Sequence, residues 1–199
     1  MTSTERRIQT LLRRHGTARS RELVAAGITR SQLSRMVRAG QLVRVARGLY
    51  AKPGYQISEH GALVAVVKRA PGVVFCLLTA LRIHDLTTQA PFEVWIAIGN
   101  KDHPPRLDYP PLRTMRFSDA ALSAGVETCR VDGEKVRVTN VAKTVADCFK
   151  FRNKIGLDVA LEALREARRA KKASADDLWR YAKINRVTNV MRPYLEAVA

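Results

Sequence analysis

One segment, GITRSQLSRMVRAGQLVRVARGLY from Gly27 to Tyr50, constrains the fold more than any other part of the chain. Thr29 and Gln32 stand three residues apart, which is the spacing of a capping box at the start of a helix. Gly40 is a typical helix stop, so the sequence predicts a helix over residues 30–39. The runs QLVRV and GLYA that follow are strand-like and are joined across ARG, which predicts a β-hairpin.

Two further helices are predicted before this segment. Thr2 and Glu5 have capping-box spacing. Apolar residues then recur on one helical face: Ile8, Leu11 and Leu12. Ser20 is the predicted cap of a short second helix, RELVAA. Three helices followed by a β-hairpin are the layout of a winged helix-turn-helix domain, which places its recognition helix in the DNA major groove.

The third helix has two chemically distinct faces. At 100° per residue its apolar side chains cluster on one side: Leu33, Met36 and Val37. The opposite side carries hydroxyl and guanidinium groups. Arginine can bind the O6 and N7 of guanine, and serine can reach bases or phosphate. The predicted DNA contacts are therefore Arg30, Ser31, Ser34, Arg35 and Arg38 on the helix, with Arg44 and Arg47 on the hairpin. A solvated helix face is the alternative, but the segment holds no acidic residue to pair with these arginines.

Positive charge is concentrated near the N-terminus. The formal net charge is +17, and residues 1–54 hold 12 of the 35 basic residues but only two of the 18 acidic ones. This excess favours a polyanionic partner, either double-stranded DNA or a membrane surface. Because the sequence has neither an apolar run long enough to span a bilayer nor a signal-peptide core, we expect a cytoplasmic DNA-binding protein without a membrane partner.

Proline and glycine in AKPGYQ, residues 51–56, interrupt both periodicities and predict a domain boundary. Residues 1–54 are then the winged helix-turn-helix domain, and residues 55–199 a mixed α/β domain with a helical C-terminal part, so that the fold class is α+β. In the second domain FEVWIAI and LRTMRF are predicted strands, and VETCRVDGEKVRV a hairpin that turns at Asp132 and Gly133. ALVAVVKRA, FCLLTALRIHDL and the segments after Thr139 are predicted helices, one of them capped by Ser174.

Patterns typical of catalysis are weak in the second domain. The sequence lacks a Gly-rich phosphate loop and a nucleophile elbow. Glu134 and Lys135 are explained as neighbours of a hairpin turn, and Lys143 and Asp147 have the i, i+4 spacing of an ordinary surface pair on a helix. The histidines are too scattered for a metal site, and so are the cysteines, which we expect to be reduced and buried: Cys76, Cys129 and Cys148. We therefore expect no enzymatic activity, no metal and no cofactor.

The predicted helix in GLDVALEALREARRAKK is a second basic feature. Its leucines are predicted to face inward: Leu157, Leu161 and Leu164. Its charged end is a candidate second basic surface made of Arg165, Arg168, Arg169, Lys171 and Lys172. Cations suit a helix C-terminus, which favours a solvated face. The alternative is contact with DNA phosphate or with an acidic protein surface.

The run GITRSQLSRMVRAGQLVRVARGLYAKPG, with the wing pattern G-x-L-x-R-V-x-R-G-x-Y, resembles the N-terminal domain of the AbiEi family, the antitoxins of type IV toxin-antitoxin systems. The matching wing positions are Gly40, Leu42, Arg44, Val45, Arg47, Gly48 and Tyr50. Two later segments, PGVVFCLLTALRIHDLTTQAPFEVWIAI and VRVTNVAKTVADCFKFRNKIGLDVALEAL, look like the antitoxin body, so the resemblance covers nearly the whole chain.

This resemblance implies a winged-helix domain that binds operator DNA, expected to be an inverted repeat, and represses its own two-gene operon. It also implies a C-terminal domain that counters a partner toxin with a nucleotidyltransferase fold. The alternative is a winged-helix regulator without a toxin partner, whose C-terminal domain senses a ligand or a protein.

Overall fold

A computed structural model of the chain describes residues 6–8, 10–12, 17–46, 48–54, 59–89, 91, 93–107 and 109–197. The first elements are the helical residues 6–8 and 10–12 (α1), β1 (Thr17–Arg19), α2 (Ser20–Ala25), α3 (Arg30–Arg38), β2 (Val43–Ala46) and β3 (Leu49–Ala51). The third helix and the hairpin are confirmed, whereas β1 has no counterpart in the sequence prediction. The expected cap at Thr2 and Glu5 lies outside the described residues.

These elements form a small sheet covered by helices. β3 lies between β1 and β2, and both pairings are antiparallel. The helices bury their apolar faces in one cluster, which also takes in residues from the strands and turns: Ile8, Leu12, Ala18, Leu23, Ile28, Leu33 and Leu42. Burial of a large aliphatic side chain stabilises a fold by about 1.5–3 kcal/mol, so this cluster holds the three helices together. The arrangement is of the winged-helix type, as predicted.

Ser20 does not cap α2, contrary to the prediction. The N-cap residue is Arg19, whose backbone N–H donates to Oε2 of Glu22 at 2.8 Å. The backbone N–H of Ser20 instead donates to the carbonyl of Gly48 at 2.8 Å, and its hydroxyl donates to the same oxygen at 3.1 Å. The pairing of β1 with β3 brings the hairpin beside Ser20, which is why its hydroxyl is used there.

The rest of the chain is built on a five-stranded sheet. Its strands are β4 (Val74–Phe75), β5 (Val94–Gly99), β6 (Leu112–Phe117), β7 (Val126–Val131) and β8 (Glu134–Thr139), in the order β6-β5-β4-β8-β7. β5 runs parallel to β6 and β4 parallel to β8, while the other two pairings are antiparallel. The hairpin of β7 and β8 turns at Asp132 and Gly133, as predicted.

Eight helices are described in this part of the chain: α4 (Glu59–Arg69), α5 (Leu77–Ile83), α6 (Asp119–Ser123), α7 (Val141–Lys150), α8 (Arg152–Ile155), α9 (Leu157–Arg169), α10 (Ala175–Ile184) and α11 (Thr188–Ala197). Asn140 caps α7 through Lys143 N–H, and Ser174 caps α10, the latter as predicted. Among the described helices none is long and apolar enough to cross a membrane.

Alternating residues of the strands enter two separate cores. Phe75 and Ile96 join the core with α4, whereas Val74 and Trp95 join a larger core with α5, α7, α9, α10 and α11. Burial on both faces explains why β5 is apolar without interruption. This part of the chain combines helices with a sheet of parallel and antiparallel strands, so the predicted α+β class is confirmed.

Two burial predictions need correction. Leu157 is 37% exposed because it is the first residue of α9, and the inward face is formed further along the helix by Val159, Ala160, Ala163, Leu164 and Ala167. The cysteines are free thiols, but Cys129 is only half-buried on β7, while Cys76 and Cys148 are buried.

Candidate nucleic-acid interface

The start of α3 is fixed by local contacts. The backbone N–H of Gln32 donates to the hydroxyl of Thr29 at 3.2 Å, and the backbone N–H of Thr29 donates to Oε1 of Gln32 at 2.8 Å. This is the predicted capping box, and such caps typically contribute about 1 kcal/mol. Leu33 then anchors the helix in the small core at 1% exposure, with Met36 and Val37 packed against that core. The inner face of α3 is therefore as predicted.

The outer face of α3 presents polar and cationic side chains. All five predicted contact residues of the helix are exposed: Arg30, Ser31, Ser34, Arg35 and Arg38. Arg35 and Arg38 lie in the last turn, where a cation also suits the helix dipole. None of the three arginines forms an ion pair with the described residues. Guanidinium groups can donate to the O6 and N7 acceptors of guanine in the DNA major groove, and serine hydroxyls can contact bases there.

The hairpin of β2 and β3 follows this helix in the sequence and forms the wing. Arg44 is exposed on β2 and pairs with Tyr50 of β3 in the strand register. Arg47 lies outside the described residues. Gly48 has a φ of 73°, and a Cβ at this position would lie 3.0 Å from Oγ of Ser20. The wing is thus attached to the start of α2 through a position that favours glycine.

The charged end of α9 is less uniform than its sequence indicates. Arg165 and Lys171 are exposed. The guanidinium of Arg169 is paired with Glu166, and Nζ of Lys172 donates to the carbonyl of His84. The hydrogen bonds to Arg169 lower the pKa of the Glu166 carboxyl. Because these two cations already have partners, the candidate second basic surface is not a set of five equivalent charges.

Lys143 and Asp147 do not form the surface pair that their spacing predicts. They are paired, but both side chains are 0% exposed, since α7 is covered by α5, α9 and α10. Nδ2 of Asn185 donates to Oδ1 of Asp147 at 2.7 Å, and Nζ of Lys143 lies 4.9 Å from the centre of the Phe117 ring. Burial raises the pKa of the Asp147 carboxyl, while the neighbouring Lys143 opposes that shift. The pair is part of the core.

The described residues contain no group of three His, Cys, Asp or Glu side chains that could hold a metal ion. Glu134 and Lys135 follow the turn of the β7–β8 hairpin, in which Asp132 and Gly133 both have positive φ. Glu134 lies 3.9 Å from Nζ of Lys68. Its contacts are those of a strand residue at a hairpin, in agreement with the interpretation made from the sequence.

Three short helices, a β-hairpin wing and an exposed cationic face on the third helix define a winged-helix domain. Residues 6–52 match the model of a family described as "Transcriptional regulator, AbiEi antitoxin". The resemblance predicted from the wing is confirmed by this match, which covers the N-terminal part of the chain. Regulators and antitoxins of this family are not typically enzymes.

A crystal structure of the RV2827C protein from Mycobacterium tuberculosis has a similar fold. The TM-score is 0.66 with 13% sequence identity, over 100% of this chain and 81% of that chain. At this identity the similarity concerns the fold alone, and it extends beyond the winged-helix elements to the five-stranded sheet and its helices. A comparison with curated proteins gives no match.

Proposed function

We propose that this chain is a cytoplasmic DNA-binding autorepressor that also acts as the antitoxin of a type IV toxin-antitoxin system, against a toxin with a nucleotidyltransferase fold. The observation that carries the DNA-binding part is the face of α3, where Arg30, Arg35 and Arg38 are exposed and pair with none of the described residues, while Leu33 is buried behind them. The antitoxin part rests on the family match and on the resemblance of the later segments to an antitoxin body.

In the proposed complex α3 lies in the major groove. Arg35 and Arg38 contact guanine edges, Ser31 and Ser34 contact bases or phosphate, and Arg30 at the helix start contacts the sugar-phosphate backbone. Arg44 and Arg47 of the wing contact phosphate or the minor groove. Two chains side by side would require an inverted repeat.

The proposed division of labour follows the predicted boundary. Residues 1–54 bind DNA, and residues 55–199 act against the toxin without enzymatic activity. Separate hydrophobic clusters support this division, since the cluster around Leu23 and Leu33 shares no residue with either cluster of the five-stranded sheet. A magnesium-dependent cleavage assay on plasmid and RNA that showed turnover would contradict the non-enzymatic part.

The DNA-binding proposal is tested by fluorescence anisotropy with DNA from upstream of the chain's own gene and with random DNA of equal length. We expect tighter binding to the upstream DNA, and a log-log salt dependence with a slope of about −0.9 for each phosphate contact. Equal affinity for both DNAs at all salt concentrations would show that the protein does not recognise an operator.

The antitoxin proposal has an independent test. The genes next to this one are first searched for a nucleotidyltransferase. Where one is found, it is expressed with and without the full-length chain, and growth is measured. We expect rescue of growth by the wild type and also by an Arg35→Ala variant, whose change lies in the DNA-binding part. Failure of the full-length chain to restore growth would contradict the antitoxin role and favour the alternative, a winged-helix regulator without a toxin partner.

A further inference from the structure

A cavity of about 380 Å³ lies in the C-terminal part of the chain, and its described lining includes none of the residues proposed to bind DNA. Its walls come from the end of β6, the start of α6, the end of α7 and the turn between α10 and α11. Pockets that bind small molecules typically have volumes of about 300–1,000 Å³, so this cavity is large enough for one.

Three cations line the cavity: Arg116, Lys150 and Arg186. These three residues come from segments that are distant in sequence, and none of the described residues that line the cavity carries a carboxylate. Like charges that converge on one concave surface repel one another and attract an anion. The buried carboxylate of Asp147 is paired with Lys143 and also interacts with the charge of Lys150, so this one carboxylate offsets only part of the positive charge at the cavity.

Each cation keeps donors beyond those used within the fold. One guanidinium nitrogen of Arg116 donates to the carbonyls of Gly99, at 3.1 Å, and Asn100. Nζ of Lys150 donates to the carbonyl of Asn185 at 3.0 Å. An arginine has five N–H donors and a lysine three, so these contacts hold the two side chains in place without exhausting them.

The third cation, Arg186, is exposed and its guanidinium makes no hydrogen bond or ion pair with the described residues. Its backbone is fixed, because Arg186 N–H donates to the carbonyl of Lys183 at 3.0 Å and Val187 N–H donates to that of Ala182 at 2.9 Å. Val187 is buried behind it. The guanidinium is therefore attached to a fixed turn at the edge of the cavity.

The remaining lining residues are neutral. The hydroxyl of Ser118 makes no capping hydrogen bond to α6, and the amide of Asn100 adds further hydrogen-bonding groups. Phe117 and Phe151 supply apolar surface, with ring centroids 5.2 Å apart. A cavity with cations, neutral hydrogen-bond donors and an apolar wall suits an anion that is attached to a less polar group.

We infer that this cavity binds a small molecule that carries a phosphate or diphosphate group. Phosphate oxygens accept several charge-assisted hydrogen bonds at once, and arginine is the side chain best suited to that geometry. The cavity is concave, which favours a small molecule as the ligand. A nucleic-acid backbone does not need a concave site, because it binds equally well to exposed cations on a convex surface. The site lies outside the surface proposed to bind DNA, so its occupancy does not depend on that proposal.

The test is isothermal titration calorimetry of the full-length chain with sodium pyrophosphate and with ADP. In the pocket variant Lys150→Gln/Arg186→Gln we expect about tenfold weaker binding for each cation removed. The matched control is Lys183→Gln/Arg192→Gln, which makes the same change in net charge at two exposed cations outside the cavity. The single variant Arg186→Gln changes only an exposed side chain and serves if the double variant does not fold.

Binding of either probe to the wild type and control, with the stated loss in the pocket variants, supports the site. Three results overturn it. They are the absence of heat with both probes, equal losses in pocket and control variants, and binding of a 12-nucleotide single strand, but of neither probe, that the pocket substitutions weaken. The last result would assign these cations to a nucleic-acid surface.

Discussion

Lys143 and Asp147, one helical turn apart on α7, form an ion pair whose two side chains are completely excluded from solvent. Asn185 adds one hydrogen bond to Oδ1 of Asp147, whereas Oδ2 has no partner among the described residues. Removal of two charges from water is costly, and loss of one partner leaves the other charge buried and uncompensated. The pair thus makes the packing of α7 against α10 sensitive to single substitutions.

Lys143→Met should destabilise the protein by about 3–5 kcal/mol, because it leaves Asp147 as an unpaired buried carboxyl group. The double variant Lys143→Met/Asp147→Asn should recover most of this loss, since it removes both charges and keeps an acceptor for Asn185. Urea denaturation followed by circular dichroism measures the free energy of unfolding of each variant. A double variant no more stable than Lys143→Met would show that the charges themselves are required.

The same pair predicts a pH dependence. Burial raises the pKa of Asp147 in the folded state. Its contribution to stability is then present below the unfolded pKa of about 3.9 and is lost as the pH rises through the higher folded pKa. Relative to Lys143→Met/Asp147→Asn, which lacks this titration, the wild type should lose stability between about pH 4 and the folded pKa. A difference that stays constant or grows over this range would mean that the folded pKa is not raised.

Local sequence signals were sufficient for α3 and for the β7–β8 hairpin. The capping residues of α3 lie within four positions of one another, and the alternation around Asp132 and Gly133 is equally local. Strand β1 has only three residues, and it becomes a strand because it pairs with β3, about 30 residues further along the chain. No pattern within TAR could have indicated this pairing.

The burial of Lys143 and Asp147 could not be predicted for a related reason. Their spacing is that of countless exposed pairs, and what excludes water is the packing of α9 and α10 against α7. The cationic cavity likewise unites Arg116, Lys150 and Arg186 from three separated segments. Sequence periodicity identifies the face of one helix but not which faces of distant helices meet.

Arg35→Ala should reduce discrimination between operator and random DNA by about 1–3 kcal/mol, which is the value of a bidentate contact to guanine. The exposed, unpaired guanidinium has no described partner in the fold, so the stability of the protein should not change. Fluorescence anisotropy with both DNAs measures the difference. Equal losses of affinity on the two DNAs would contradict base recognition by Arg35.

The matched comparison is Arg47→Ala at the predicted tip of the wing. If this side chain contacts phosphate, its removal should weaken binding to both DNAs alike and reduce the slope of the salt dependence by about 1. A loss confined to operator DNA would indicate that Arg47 recognises sequence instead.

Gly48→Ala tests the attachment of the wing. The backbone φ of 73° is unfavourable for alanine by about 1–2 kcal/mol, and the new methyl group would lie 3.0 Å from Oγ of Ser20. We expect weaker binding to operator and random DNA together, because the wing moves while α3 keeps its cap and its buried Leu33. Ser20→Ala is the control, since it removes the hydroxyl bond to Gly48 but leaves the backbone bond. Ser20→Ala should reduce DNA affinity less than Gly48→Ala does. A larger loss of affinity for Ser20→Ala would show that the Ser20 hydroxyl, rather than the conformation of Gly48, holds the wing in position.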